Sequence, residues 1–147
     1  DGGETAGGSS SNREGSVMSH FTKVQTKITD LDCLKQALED LQYSCREGEV
    51  RVRGWRGQWS EADLVADLGG PYNIGFRKSP QGNYEVVADW WGVEMRTGIS
   101  QVTLVNDLSQ RYAYRKVLSE VRKRGFSVAE DETLEDNSIR LVVRKWS

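Results

Sequence analysis

The stretch "YEVVADWWGVEM", Tyr84 to Met95, decides how the chain is read. Taken as a strand, it points neighbouring side chains to opposite faces of a sheet. Tyr84, Val86, Ala88 and Trp90 then fall on one side, and Glu85, Val87, Asp89 and Trp91 on the other. The first side is the one to pack under helices, which leaves Trp91 on the far face. The company it keeps there bears on what it is for.

Upstream, "YNIGFRK" and the turn "SPQGN" complete a hairpin with this strand, Pro80 suiting the second turn position and Gly82 the residue that needs positive φ. "ADLVADL" reads equally as a short strand or a helical turn, and "GGP" at Gly69 to Pro71 breaks the chain. "GEVRVRGW" alternates, with Val50 and Val52 inside and Arg51, Arg53 and Trp55 outside. "TDLDCLKQALEDLQY" predicts a helix: Leu31, Leu34, Leu38 and Leu41 share one face, Thr29 or Asp30 caps it, and Asp32 favours its first turn. Before it, Phe21, Lys23, Val24 and Ile28 suggest a strand within Ser19 to Ile28.

Downstream of Gly98 a long helix is expected from Val102 to Arg124, ended by Gly125, with Tyr114, Val117, Leu118 and Val121 on one face. "FSVAEDETL" and "SIRLVVRKW" form a second hairpin around Asp136 and Asn137. Its last strand places Ile139, Leu141 and Val143 inside, and Arg140, Val142, Arg144 and Trp146 outside. There is also a weak internal echo. Helix, "YSC" and "VRVRGW" are answered by helix, "FSV" and "RLVVRKW", each unit closing on Arg, one spacer and Trp. The pattern predicts an α+β fold: an antiparallel sheet with two helices packed on one face, of ferredoxin-like flavour with an extra hairpin. Its open face would carry Trp55, Trp91 and Trp146 among Arg53, Arg144, Asp89 and Glu85.

At 147 residues the chain suits one domain, taken as residues 18–147. Residues 1–17, rich in Gly and Ser, are expected to form a disordered tail, an expression remnant or the leftover of a processed targeting peptide. The net charge of -2 is that of Asp1, Glu4 and Glu14 against Arg13, leaving 19 acidic and 19 basic residues beyond the tail. A neutral domain argues against a non-specific nucleic-acid binder. No apolar run is long enough to span a membrane, although peripheral association stays open. Cys33, Cys45 and His20 form no metal-binding spacing, so no metal or cofactor is expected, and a reducing compartment suits the two cysteines.

The open face supports two readings. One is structural: Arg–Asp pairs across strands and guanidinium stacked on indole. The other is a protein interface, because Trp and Arg concentrate at hot spots. Nucleic acid stacking on the same face is a further alternative, opposed by Asp89 and Glu85 beside the tryptophans. The second helix adds a basic run, Arg111, Arg115, Lys116, Arg122, Lys123 and Arg124, which is either a solvated face or a contact for an anionic partner. No catalytic motif appears, and an enzyme or small-molecule site would have to centre on Asp89.

"MSHFTKVQTKITDLDCLKQALEDL", "YNIGFRK", "YEVVADWWG", "QRYAYRKVL" with "GFSV", and the closing "IRLVVRKW" resemble the family called hypothetical chloroplast reading frame thirty-five. The resemblance runs from Met18 to Ser147 and is carried by several independent segments. It implies a chloroplast stromal or cyanobacterial cytoplasmic setting and a link to the photosynthetic machinery. It brings no established activity and no catalytic residues. Relatives in other bacteria, encoded near a ring-forming ATPase, imply an adaptor role. The expectation is a small non-enzymatic adaptor or assembly factor. Its protein partner, such as that ATPase or a photosynthetic complex, would meet the Trp/Arg sheet face.

Overall fold

The computed structural model describes residues 21–136 and 138–145. The tail expected at 1–17 and Trp146 lie outside the described residues. Strand β1 (Phe21–Gln25) leads to helix α1 (Leu31–Asp40) and a four-strand meander: β2 (Ser44–Arg53), β3 (Trp59–Asp67), β4 (Asn73–Lys78) and β5 (Tyr84–Asp89). Helices α2 (Trp90–Thr97) and α3 (Gln101–Lys123) follow, then β6 (Phe126–Thr133) and β7 (Ile139–Lys145). The class is α+β. The main sheet is antiparallel in the order β1–β5–β4–β3–β2, so the two strands of the first strand–helix–strand unit stand at opposite edges.

Local chemistry sets the helices. Asp30 caps α1 by accepting from the Cys33 N–H at 3.1 Å, and Ser100 caps α3 by accepting from the Thr103 N–H at 3.2 Å. Gly125, at φ 83°, follows the end of α3. Leu34, Ala37 and Leu38 of α1 and Leu104 and Leu108 of α3 meet Ile74, Phe76, Val86 and Ala88 of the sheet in the main core. "ADLVADL" belongs to β3. Leu64, Val65 and Ala66 are all buried, and a strand covered on both faces loses the alternation that marks a strand.

The second face of the sheet is covered, which corrects the expected open face. A bulge between Glu47 and Val50, with Gly48 at φ 104°, kinks β2. Beyond it, the far halves of β2 and β3 turn back across the sheet. Val52, Ala62 and Val65 form a second, smaller core with Phe21 and Val50 packed against it. Gly75 makes room for this: a Cβ there would sit 2.1 Å from Val52 Cγ2. Buried Asn73 ties the flap down, its Oδ1 accepting from the Arg53 N–H at 2.7 Å and its Nδ2 donating to the Arg51 carbonyl at 3.1 Å.

The last hairpin, β6–β7, is a separate two-stranded sheet rather than part of the main one. Helix α3, 23 residues and about 34 Å long, accounts for this. Its residues in or against the main core end at Tyr112. The remaining turns carry the chain past the sheet, where Leu118 is buried and Tyr114 donates to Asp131 of β6 at 2.6 Å.

Candidate partner-binding surface

Asp89 organises one end of the molecule. Its Oδ1 accepts from the Gly92 N–H at 3.1 Å, which caps α2 and ends the strand one residue before the tryptophans. Trp90 and Trp91 are therefore successive helix residues, about 100° apart around the axis. Trp90 packs into the main core at 8% exposure, while Trp91 stands 53% exposed. Met95, one turn further on, is 69% exposed, so α2 presents two large apolar side chains to solvent. The other oxygen of Asp89 accepts from the Trp55 N–H at 2.9 Å. Asp89 has no solvent exposure and both oxygens are engaged by backbone donors. This corrects its expected place on an open face: Asp89 is buried and ties backbone groups of two elements together.

Through Asp89 the turn containing Trp55 is fixed to the start of α2. A second tie runs through Arg53, whose Nε and Nη2 donate to the carbonyls of Pro71 and Gly70 at 3.0 and 3.1 Å. A third is the ring of Tyr72, lying where a Cβ on Gly92 would be, 2.2 Å from Tyr72 Cε1. Sequence reasoning named Trp55, Trp91 and Arg53, and the structure brings these to one end. It does not bring Arg144, which is exposed on β7 in the separate sheet, and Trp146 lies outside the described residues.

Trp59, 48% exposed, was missed. It pairs with Arg53 across the hairpin and carries the Arg51 guanidinium 4.0 Å from its ring centroid. Arg56, at φ 56°, lies 4.2 Å from the Trp55 ring in the same way. The signal was present in "RVRGWRGQW", where arginines and tryptophans interleave on a hairpin.

The basic helix divides. Arg111 and Arg115 both reach Asp40 at the end of α1, at 2.8 and 2.6 Å, and Lys116 reaches Asp30 at 3.1 Å. The Tyr112 hydroxyl accepts from the Thr29 and Asp30 N–H groups. Hydrogen bonds from Arg115, then those from Arg111, hold the Asp40 carboxyl below the usual carboxylate range against the opposing effect of its burial. These three cations clamp α3 onto α1. Arg122, Lys123 and Arg124 are exposed at its far end, with Lys123 3.8 Å from Glu120. Among the described residues, no three His, Cys, Asp or Glu side chains are grouped to hold a metal ion, and no helix is long and apolar enough to cross a membrane.

Residues 37–142 match the family described as protein of unknown function DUF1257. The chain belongs to that family. The DUF1257 segment contains the whole Asp89 end, from Trp55 to Met95. The chain is 35% identical over 129 residues to the uncharacterized protein ycf35 of Cyanophora paradoxa, covering 88% of this chain and 98% of that one. It is 34% identical over 135 residues to the ycf35 protein of Guillardia theta, at 88% and 98% coverage. To that of Pyropia yezoensis it is 32% identical over 136 residues, at 88% and 99%. These relatives come from plastid genomes, in agreement with the resemblance read from the sequence. No solved structure matches the chain.

Proposed function

We propose that the protein is a non-enzymatic adaptor or assembly factor of the chloroplast stroma or cyanobacterial cytoplasm, holding a protein partner on the surface at its Asp89 end. The observation that carries this reading is the pair Trp91 and Met95, exposed one turn apart on a helix that buried Asp89 locks to the sheet. Large apolar side chains on a rigid element lose little freedom on docking, which is how anchor residues work. Trp55, Arg53 and Trp59 extend the surface around them. The plastid origin of the relatives says where to look for the partner, with a ring-forming ATPase or a photosynthetic complex as the first candidates.

The test is co-purification from a photosynthetic host of the wild type beside Trp91→Ala and Met95→Ala, each variant shown to keep its circular dichroism. The expected result is a defined protein partner whose recovery falls about tenfold or more with Trp91→Ala, and then recombinant partner binding with the same loss. Equal recovery from all three proteins would remove α2 from the reading. Nuclease-sensitive material in the eluate, released steeply by salt, would replace it with nucleic-acid binding.

A further inference from the structure

Beside α2 lies a second feature of definite chemistry. The far half of β2 and the turn from Gly54 to Trp59 enclose a groove of about 590 Å³, within the range of ligand clefts. Arg46, Arg51 and Arg53 line it, with Trp59 and Pro71 as apolar walls, and the carboxylate of Asp67 stands behind two of them, 3.1 Å from Arg46 and 4.0 Å from Arg53. In a chain whose charges balance beyond the tail, three arginines against the one carboxylate of Asp67 leave a local excess of positive charge, with Arg51 outside that ion pairing. We infer that this groove receives an acidic segment of the protein partner, its carboxylates on the arginines and an apolar side chain against Trp59. The inference rests on the partner-binding reading above.

Each arginine is held in place. Arg46 donates through Nε and Nη2 to Asp67 at 3.1 and 3.2 Å. Arg53 grips the Pro71 and Gly70 carbonyls. Arg51 rests over the Trp59 ring with its guanidinium carbon 4.0 Å from the centroid, and a guanidinium can meet a carboxylate with two parallel hydrogen bonds through its in-plane N–H groups. The cations are therefore preorganised, and little ordering remains to be done on binding. Single-stranded nucleic acid fits less well. It calls for a longer basic track and for aromatic faces on which bases stack. Here the cations are grouped in one short groove, and guanidinium groups lie over both hairpin indoles. Arg77, a neighbouring cation, is turned to Ser60 Oγ and the Glu61 carbonyl.

The test is a nuclear magnetic resonance titration of the full chain, following tryptophan indole and arginine Nε–H signals. The probes are a peptide of alternating Glu and Leu and an octauridine of matched charge. The expected result is saturable shifts confined to Arg46, Arg51, Arg53 and Trp59 with the peptide, weakened about tenfold by Arg51→Ala and more by Arg51→Glu. Arg122→Ala, at the far end of α3, should leave them unchanged. Three outcomes would overturn the inference: tighter binding of octauridine at the groove, shifts spread equally over Arg122 to Arg124, or no shift at about 1 mM peptide. Partner recovery that survives Arg51→Glu but is lost with Trp91→Ala would end this inference and leave the adaptor reading standing.

Discussion

Asp89 illustrates how one side chain can serve two elements at once. Its oxygens satisfy backbone donors from a hairpin turn and from a helix start. Asp89→Ala should therefore destabilise the protein by about 1–3 kcal/mol in urea unfolding, combining a lost helix cap with the loss of the part-buried hydrogen bond from the Trp55 N–H. Asp89→Asn, which keeps one acceptor, should lose less. Gly75 poses a steric version of the same dependence. Gly75→Ala would drive a methyl into Val52, at an expected loss of about 1–3 kcal/mol. Pairing it with Val52→Ala should return part of that loss, and a double-mutant cycle measures the coupling. Additive effects would mean that the flap does not rest on the sheet at this point.

At the scale of elements, α3 is held to α1 by carboxylates whose protonation is disfavoured in the folded chain. Asp40 is lowered by Arg115 and Arg111, and Asp30 chiefly by the Cys33 N–H and then by Lys116. A depressed folded value means that the unfolded chain binds more protons as acid is added. The stabilisation is thus fully present at neutral pH and is lost below about pH 4. Asp40→Asn should lower stability at pH 7 and flatten its decline below that point, as thermal unfolding across pH would reveal. Both of these helices were legible in the sequence, α1 from its leucine spacing and cap and α3 from its apolar spacing and the closing Gly125. The face read for α3, however, included Val117, which is 44% exposed, and left out Leu104 and Leu108, which enter the main core. The second tryptophan was not legible. A strand continued through Trp91 and a helix begun after Asp89 both put Trp90 inside and Trp91 outside, so burial alone could not separate them. The deciding feature was an Asp three residues before Gly92, a capping position, and that is a weaker signal than six residues of alternation. The covered second face had left traces in Val87, an apolar residue on the side assigned to solvent, and in Gly75 between Ile74 and Phe76. What folds over that face depends on a bulge at Gly48, and hydrophobic alternation alone does not locate a bulge.

Across the whole molecule, burial is uneven. Among its described residues the β6–β7 hairpin carries no fully buried one, against the fully buried Phe76 and Val86 in β4 and β5. Hydrogen exchange should accordingly be fastest in β6 and β7 and slowest in β4 and β5, with the hairpin opening independently. Uniform protection would show that the arm and the sheet unfold as one. The order of the main sheet has a further consequence, for synthesis. Strand β1 is made before the other strands of this sheet, yet it lies at an edge whose neighbour is β5, with Gln25 bound to Glu85, 60 positions further along the chain. Until β5 has emerged, Leu34, Ala37 and Leu38 of α1 have only part of their cover. The nascent chain must therefore wait with the leucine face of α1 unclad, and it is there that a chaperone, or crowding by other chains, would leave its mark on yield.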